Sequence, residues 1–420
     1  MAMREDIKER WEMIQRGEVP EGYKKTKVGI IPEDWEVKKL GTICDMYSGG
    51  TPRTSNKEYY DGKIPWINSG DLNQKKIQVV DGKISDKGLK NSSAKMIEKG
   101  DLLIALYGAT AGVVAISNID AAINQAVLAI IPRMDSNIYI YYQLDYLKES
   151  ITNRYTQGGQ PNLSAQIIKS LPMSIPLIAE QQKIADILSA WDEAIDLEEK
   201  LIEEKQEQKK GLMQNLLTGK VRLPGFEGEW EEVKLGKVIN ECKVRTSKNN
   251  QYPILTSSRT GIFLQNEYFS KQVASTNNIG YKIVKKGYFT YRTMSDDGYF
   301  KFNRLEDYDI GIVSPAYVVF RATKINPIFL QGLINSYEFN KHIIQVVQGG
   351  TRLSLRYSQL KDIKVKIPSI QEQKAIADVL STVDREIELL KEEVELLKEQ
   401  KKGLMQLLLT GIVRVDEAIL

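Results

Sequence analysis

The residues best suited to chemistry in this sequence lie in short, turn-like segments that mix amide, hydroxyl, aromatic and arginine side chains. Such side chains pair with the edges of DNA bases, while backbone amides and lysines hold phosphates. In the N-terminal half the candidates are Thr51, Arg53, Trp66, Asn68, Ser69, Asp71, Tyr107, Thr110, Gln157, Gln160 and Asn162. In the C-terminal half they are Ser257, Arg259, Tyr291, Arg292, Thr293, Thr351, Arg352, Ser354 and Arg356. The pattern favours contact with DNA, in which amides suit adenine and arginine suits guanine.

The same residue types also serve as phosphate contacts or as plain surface residues, so both alternatives stay open at each position. A Gln-Gly-Gly run occurs in both halves, at 157–159 and 348–350. Each copy precedes one of the two repeated blocks that are described below. We therefore expect both runs to be contact loops, and simple exposed turns are the alternative.

Signatures of catalysis are missing from the sequence. It has no Gly-rich phosphate loop, no dinucleotide-binding turn and no Asn/Asp-Pro-Pro-Tyr run of the adenine methyltransferase type. The tripeptides 36–38 and 232–234 match the Glu-x-Lys of metal-dependent nucleases, but a solvated strand edge explains them more simply. Cys44, Cys242 and His342 lack the spacing of a zinc site. The sequence therefore predicts no catalytic residue, no metal site and no cofactor.

Length and composition limit what such a DNA contact can be. The 420 residues suggest about three domains, and the 42% of hydrophobic residues is enough for ordinary buried cores. Since the net charge is only +3, contact with nucleic acid must come from local basic patches. The charged N-terminus and the lack of long apolar runs predict a cytoplasmic protein without a membrane span, whose two cysteines stay reduced.

A long internal repeat must position the polar segments. Residues 175–225 reappear as 367–417, with the shared run Lys-Lys-Gly-Leu-Met-Gln-x-Leu-Leu-Thr-Gly at 209–219 and 401–411. Each copy follows a segment that is unlike the other. This arrangement predicts two variable modules on two matching connectors, which is the layout of a reader with two binding sites.

Both copies of the repeat have the spacing of long helices with a coiled-coil seam. The seam residues are Ile184, Leu188, Trp191, Ile195 and Ile202 in the first copy, and Ile376, Leu380, Val383, Ile387, Leu390, Val394 and Leu397 in the second. Each helix would be roughly 60 Å long. The chain order of module, helix, module and helix predicts that the two helices pair antiparallel. Glu198 and Lys205 fall on the seam, where we expect opposite charges to face them.

Particular residues of these helices carry local signals. Ser369 and Glu372 form a capping box that predicts the start of the second helix. Gly211 and Gly403 stand at equivalent places inside the two helices, where glycine costs about 1 kcal/mol relative to alanine. We expect either a close approach of the helices or a bend at these glycines.

The two modules combine strands with helices near their ends, which predicts an α+β class. β-rich runs such as 102–106 and 282–291 alternate with Gly, Asn and Asp turns. Helical spacing predicts a helix around Ile140 in the first module and a helix from Leu330 to Tyr337 in the second. The chain then divides into an N-terminal helical extension at 1–19, a first module at 20–174, a helical region at 175–222, a second module at 223–366 and a second helical region at 367–420.

Over residues 20–417 the sequence resembles the specificity subunits of Type I restriction-modification systems. The resemblance is carried by 29–41 with Trp35, by the phrase Trp-Ile-Asn-Ser-Gly-Asp-Leu at 66–72, by Asn124-Gln125, and by both repeated blocks. In the terms of that family, the predicted fold is two globular target-recognition domains separated by two long helices that pair as an antiparallel coiled coil.

The resemblance also implies a function. It implies a non-catalytic subunit of a restriction and DNA-adenine methyltransferase complex that reads a bipartite site in double-stranded DNA. Each domain would read one half, and the coiled coil would set the spacer. The implied partners are methyltransferase (M) subunits, bound along the coiled coil, and a restriction motor-nuclease (R) subunit; methyl donor, ATP and magnesium would belong to those partners.

Two other classes of function stay open. One is a coiled-coil scaffold that binds proteins and never touches DNA, and the other is a self-sufficient enzyme whose catalytic residues lack recognisable motifs. Salt-sensitive duplex binding would exclude the scaffold, and activity of the purified chain alone would favour the enzyme. The N-terminal extension has no counterpart in the second half, and the sequence assigns it no role.

Overall fold

The computed structural model describes residues 4–157, 160–269, 277–347 and 353–415, with the backbone alone at 156–157 and 160–161. The chain divides into two compact units. The first contains Met1–Leu197 and Glu393–Leu420, and the second contains Glu198–Glu392. Each unit therefore combines one module with part of each repeated block.

Short helices and strands build the module of the first unit, and a long helix follows it. The helices are α1 (Glu5–Gln15), α2 (Leu40–Ile43), α3 (Asp86–Lys90), α4 (Asn137–Arg154), α5 (Ala165–Ser170) and the long α6 (Ile178–Leu216). The strands are β1 (Tyr23–Thr26), β2 (Gly29–Pro32), β3 (Glu36–Lys39), β4 (Cys44–Ser48), β5 (Ile64–Ile67), β6 (Lys76–Ile77), β7 (Lys83–Ile84), β8 (Lys95–Ile97), β9 (Leu102–Ala105), β10 (Val114–Ser117), β11 (Ala121–Ile123), β12 (Val127–Pro132), β13 (Thr156–Gln157), β14 (Gln160–Pro161) and β15 (Pro172–Ile175).

Two sheets form the body of this module. One has the strand order β4-β12-β9-β10-β6 and the other has the order β7-β5-β11-β8. β6 runs parallel to β10, and β5 runs parallel to β11. β3 at the opening of the module pairs antiparallel with β15 at its end. The two ends of the module are therefore joined directly before α6 begins.

The helix expected around Ile140 is confirmed as α4. The hydroxyl of Ser136 accepts a hydrogen bond from Tyr139 N (3.3 Å), which caps the helix start. Ile140 and Leu144 are fully buried in the main core of the first unit, together with Leu188 from α6. Burial of this apolar face holds the module to the long helix.

The N-terminal extension lies against the C-terminal end of the second repeated block. Ile7 of α1 is buried in the same core cluster as Val413. Arg10 donates to Ile412 O (2.8 Å), and Tyr23 donates to Gly411 O (2.7 Å). Residues 4–19 thus help to enclose the end of this block.

The second unit is built on a smaller set of strands. Its helices are α7 (Gln265–Tyr268), α8 (Pro327–Ile334), α9 (Tyr337–Val346), α10 (Tyr357–Leu360) and the long α11 (Ile370–Leu409), which continues into the first unit. Its strands are β16 (Glu231–Lys234), β17 (Ile239–Glu241), β18 (Leu255–Ser257), β19 (Ile262–Leu264), β20 (Lys282–Lys285), β21 (Phe289–Arg292), β22 (Met294–Ser295), β23 (Asn303–Arg304), β24 (Ile310–Val313), β25 (Tyr317–Ala322), β26 (Leu353–Ser354) and β27 (Lys364–Ile367).

A four-stranded sheet with the order β17-β25-β21-β23 forms the centre of this module. The pairs β16-β27, β18-β19, β20-β24 and β22-β26 complete it. Stacked rings fill its core, with the Phe289 and Phe320 centroids 5.1 Å apart. As in the first unit, an opening strand (β16) pairs with the strand that leads into the long helix (β27).

The helical end expected for the second module is confirmed, but the spacing of Leu330, Ile334 and Tyr337 does not belong to a single helix. The structure has two helices, α8 and α9, with a break at residues 335–336. The hydroxyl of Ser336 accepts from Phe339 N (3.2 Å) and starts a new helix, so a serine cap interrupts a spacing that looked continuous. Tyr337 is consequently exposed at the first position of α9 rather than buried.

The two long helices pair antiparallel, which confirms the predicted architecture. In the first unit, Lys401 of α11 forms an ion pair with Asp192 of α6 (2.6 Å). In the second unit, Lys205 of α6 forms an ion pair with Glu386 of α11 (2.6 Å). Residue numbers rise along one helix as they fall along the other. No helix within the described part of the chain has the length and apolarity needed to cross a membrane.

All of the seam residues named from the sequence are buried or half-buried. The buried ones are Ile184, Leu188, Ile195, Ile202, Ile376, Leu380, Ile387 and Val394, and the half-buried ones are Trp191, Val383, Leu390 and Leu397. Lys205 has the opposite charge that was expected to face it, because it forms an ion pair with Glu386. Glu198 has no such partner, since its Oε2 is buried without a hydrogen-bond partner among the described residues.

Two further expectations about these helices need correction. A Cβ placed on Gly211 or Gly403 would meet no heavy atom within 4 Å, so close approach of the helices does not explain either glycine. Ser369 does cap α11, with its hydroxyl accepting from Glu372 N (3.3 Å). The Glu372 carboxylate, however, accepts from Arg222 at 2.6 and 2.7 Å, so an ion pair replaces the second half of the capping box.

Candidate nucleic-acid interface

Backbone hydrogen bonds bring polar segments of the first unit together. The segment after β4 is tied to β11, because Gly50 N donates to Ile123 O (3.1 Å). The turn after β11 is tied to β5, because Asn124 N donates to Ile67 O (3.1 Å). Segments that are far apart in sequence therefore meet at one end of the four-stranded sheet.

Two more segments join this end of the module. Leu106 N donates to Ala126 O (2.8 Å), and Leu163 N donates to Leu106 O (2.7 Å). Tyr107 and Asn162 form an isolated antiparallel bridge beside them. The structure thus brings together the predicted segments that begin at residues 48, 66 and 107 and the Asn162 end of the predicted segment 157–162; we call them the first polar surface.

Two glycines allow this close meeting of chains. A Cβ on Gly49 would lie 1.8 Å from Ile123 O, and one on Gly50 would lie 1.9 Å from the Ser93 hydroxyl oxygen. A larger residue at Gly49 would push the segment away from β11, and one at Gly50 would collide with Ser93. The Gly-Gly pair is therefore needed to place Thr51 next to the turn after β11.

The first polar surface exposes part of the predicted set. Thr51, Arg53, Tyr107 and Asn162 are exposed, and Ser69 and Thr110 are half-buried. The Thr51 hydroxyl is hydrogen-bonded to the side-chain oxygen of Gln125. The backbone of Gln157 pairs with that of Gln160, and their side chains lie outside the described part of the structure.

Three predicted residues of this surface hold its turn together. Asp71 accepts from Asn68 N (2.7 Å), and the Asn68 side-chain oxygen accepts from the Asn124 amide (2.9 Å). The Trp66 ring is half-buried and packs edge-on against Tyr60, with centroids 5.8 Å apart. All three side chains are only half-buried, so contact with DNA stays a prediction beside this positioning of the turn.

The second unit has a cleft of about 390 Å³ among its predicted polar segments. It is lined by the predicted turn around Arg259, by Arg292 at the end of β21, and by Tyr317. The sequence segments that begin near residues 256 and 291 therefore meet here. We call this region the second-unit cleft.

One cation of the cleft is already neutralised within the protein. Arg259 donates to the Asp297 carboxylate (2.7 Å) and stacks over the Tyr299 ring, 5.8 Å from its centroid. This hydrogen bond, with bonds from Tyr299 N and Ser295, lowers the pKa of Asp297 to about 2. Arg259 is thus paired within the protein at the edge of the cleft.

One predicted contact in this region is wrong, because the Tyr291 side chain cannot reach a ligand outside the protein. Tyr291 is fully buried, with its ring 4.8 Å from that of Phe302, because β21 is an interior strand and this side chain faces the core. Ser257 is 8% exposed, and its hydroxyl accepts from Asn303 (2.8 Å). Ser257 nevertheless lines the second-unit cleft, so its contact with DNA stays a prediction.

The remaining candidates of the second unit lie along β22 and β26. The Thr293 hydroxyl donates to Ala316 O (2.8 Å), and Ser354 pairs with Met294 across the two strands. Arg356 is exposed just beyond β26. The predicted residues Thr351 and Arg352 lie outside the described residues, as do residues 348–350 of the second Gln-Gly-Gly run.

A comparison with protein families decides the class of the protein. The family described as "Type I restriction modification DNA specificity domain" matches twice, at residues 32–205 and 227–399. The chain belongs to this family. The two matched segments are referred to below as the first and second specificity domains.

Individual relatives agree with the family match. The chain is 28% identical over 394 residues to the Type I restriction enzyme MjaVIII specificity subunit of Methanocaldococcus jannaschii, which covers 87% of this chain and 90% of the relative. A chain from a solved structure on complex assembly and conformational transition of the type I R-M system has a TM-score of 0.59 at 16% identity, covering 91% of this chain and 99% of that one. The S subunit from M. genitalium has a TM-score of 0.50 at 15% identity, with coverage of 89% and 96%. The similarity to these two solved structures supports the α+β fold with two long paired helices.

Two residues of the specificity domains escaped the sequence analysis as site candidates. Gln125 is exposed on the first polar surface beside Thr51, and the Asn124-Gln125 phrase of the family resemblance was the signal for it. Lys301 lines the second-unit cleft. Lys301 was harder to identify from the sequence, because it is a single lysine between Phe300 and Phe302.

The nuclease-like tripeptides of the two specificity domains lie on the opening strands and pair with nearby lysines. Glu36 contacts Lys38 (2.5 Å), and Glu232 contacts Lys364 (2.8 Å). In each case the lysine holds the pKa of the carboxyl below its ordinary value. Within the described ranges, no group of His, Cys, Asp and Glu could hold a metal ion. Exposed ion pairs on a strand account for both tripeptides.

Proposed function

We propose that the chain is the DNA-reading subunit of a Type I restriction-modification complex, with one specificity domain for each half of a bipartite site. One observation carries the proposal. In both units, segments that are distant in sequence converge into a single polar region whose side chains are of the types that contact DNA. Internal packing alone does not require such convergence of exposed amide, hydroxyl and arginine groups.

In this proposal the readers are residues 20–174 and 223–366, and the helical regions at 175–222 and 367–420 connect them. The stiffness of a paired helix suits a spacer of fixed length, because its rise per residue is constant. The two half-sites would then be read at one separation. The regular seam of buried apolar residues on both long helices supports this role.

The proposed partners are double-stranded DNA, methyltransferase subunits and a restriction motor-nuclease subunit, in the cytoplasm. The chain itself would be non-catalytic, and the restriction and adenine-methylation chemistry would belong to its partners. The family membership supports this division of labour, and so does the absence of recognisable catalytic motifs in the sequence.

Selection of bound duplexes from a randomised pool tests the function. The chain would be co-purified with its methyltransferase subunit, and the selection would be repeated at two salt concentrations. We expect enrichment of two short half-sites at one constant spacing, with weaker overall recovery at the higher salt because phosphate contacts release counterions. A stable protein complex that enriches no sequence would favour the coiled-coil scaffold instead.

A further inference from the structure

Lys301 lies in the second-unit cleft on a backbone that is anchored at both of its neighbours. Its neighbours Phe300 and Phe302 are 2% and 0% exposed, so the backbone on both sides is anchored in the core. Phe302 N donates to the Asn335 side-chain oxygen (3.0 Å), and the Asn335 amide donates back to Phe302 O (2.9 Å). Lys301 therefore projects from a fixed backbone, unlike most surface lysines.

The charge of Lys301 is not balanced inside the protein. No hydrogen bond or ion pair joins the side chain of Lys301 or Arg292 to another of the described residues. Asp296 also lines the cleft but forms no pair with either of them, and Arg259 is neutralised by Asp297. The cleft thus holds two cations that lack an anionic partner in the described part of the chain.

The surroundings of Lys301 make this imbalance costly. Lys301 is half-buried, and burial lowers its pKa, as does the nearby positive charge of Lys209 on α6. A partly desolvated cation is stabilised when an anion enters its site. The cleft is therefore better suited to an anion than to an apolar or cationic ligand.

The shape of the cleft distinguishes two sources of negative groups on DNA. Phosphates protrude from the outside of a duplex, whereas the base edges are recessed in its grooves. A recessed lysine can meet a protruding phosphate, while a base edge is reached by side chains that protrude from the protein. Arg292, at the end of β21, is exposed and lines the same cleft.

We propose that Lys301 and Arg292 together hold one backbone phosphate of the DNA, as a positioning contact of the second specificity domain. The proposal rests on the DNA-reading function proposed above. The contact carries no sequence information; it fixes the register in which the other residues of this domain meet the bases. Lys301 is then a determinant of affinity and salt dependence, and not of the half-site sequence.

The test uses the full chain in complex with its methyltransferase subunit and compares wild type with Lys301→Met. Binding is measured to the selected duplex and to duplexes with single mismatches, between 50 and 200 mM salt. We expect about tenfold weaker binding to every duplex, and a slope of log affinity against log salt that is smaller by about 1. Lys301→Arg should restore both quantities, because the positive charge is kept.

Lys324→Met is the matched control. Tyr317 at the start of β25 lines the cleft, whereas Lys324 is an exposed lysine beyond the other end of the same strand. We expect wild-type binding from it.

Relaxed discrimination at one base pair in Lys301→Met would show a base contact and overturn the proposal, as would unchanged binding. If wild type shows no salt-dependent duplex binding at all, the proposed function itself fails. Equal unfolding midpoints of wild type and Lys301→Met would show that the substitution leaves the fold intact.

Discussion

Arg414 donates from Nε and Nη2 to the two carboxylate oxygens of Glu180, at 2.7 and 2.9 Å. In the second unit Arg222 makes the same two-pronged contact with Glu372, at 2.6 and 2.7 Å. Arg222 and Arg414 are equivalent in the repeat, as are Glu180 and Glu372. Each ion pair joins the end of one repeated block to the start of the other, so each unit depends on both connectors.

Removal of one arginine should therefore destabilise its unit strongly. In Arg414→Met the Glu180 carboxylate stays buried and loses both arginine donors, while the Trp35 indole still donates to it at 3.0 Å. Breaking a buried pair of this kind costs about 3 kcal/mol of unfolding free energy. Denaturant unfolding followed by near-UV circular dichroism measures the loss.

The exposed pair of Arg385 with Glu388 supplies the control for that experiment. Its side chains are 61% and 65% exposed, so Arg385→Met should change the unfolding free energy by less than about 0.5 kcal/mol. If Arg414→Met is no worse than Arg385→Met, the ion pair at Glu180 does not hold the unit together.

Glu198 is the weak position of the coiled-coil seam. Its Oε2 is buried without a partner among the described residues, and the equivalent position of the second repeat is Leu390. Glu198→Leu should raise the unfolding free energy by about 1 to 2 kcal/mol, because an unpaired polar group is replaced by an apolar one. Glu203→Leu at an exposed position of the same helix is the control, and it should have little effect. A destabilised Glu198→Leu would mean that the carboxylate is needed where it lies.

Tyr291 and Arg292 are neighbours in sequence with different roles. Tyr291→Ala should lower the unfolding free energy by about 3 to 5 kcal/mol, since it opens a cavity in the aromatic core. Arg292→Ala should leave stability nearly unchanged and weaken duplex binding, since its side chain is exposed in the cleft. The unfolding free energy and the duplex affinity of both variants test these two roles. A Tyr291→Ala variant that is as stable as wild type but has lost DNA binding would contradict a structural role for Tyr291.

This pair of residues also shows what the sequence could and could not predict. The seam of the long helices was predictable because apolar spacing over many turns has one geometric solution. The side chain at 291 was not, because composition does not reveal that β21 is an interior strand with its alternate residues in the core. Lys301 was missed for a related reason: the cleft forms from segments whose meeting depends on tertiary contacts.

The two cysteines should differ in reactivity. Burial raises the pKa of Cys44 to about 12, and burial also raises that of the half-buried Cys242. Thiol reagents need the thiolate, so Cys242 should react first at pH 8, and Cys44 should react only on unfolding. Mass spectrometry after timed labelling distinguishes the two sites, and rapid labelling of Cys44 in the folded protein would contradict its burial.

Cys44 also predicts a dependence of stability on alkaline pH. Its folded-state pKa is raised above the unfolded value of about 9, so above pH 9 the unfolded thiol loses its proton while the folded one keeps it. Stability from this group is complete below pH 9 and is lost as the pH rises toward 12. Unfolding free energies of wild type and Cys44→Ala, measured at pH 8 and pH 10.5, should therefore show the steeper fall in wild type.

The long helices should act as a ruler if the chain reads a bipartite site. Deletion of the equivalent heptads 196–202 and 388–394 removes seven residues from each helix and keeps the period of the seam. The connector shortens by about 10 Å, which corresponds to about three base pairs of duplex. Selection from a randomised pool should then recover the same half-sites at a shorter spacing. Exchanging the two heptads without deletion is the control and should keep the original spacing; unchanged spacing in the deletion variant would show that the helices do not set it.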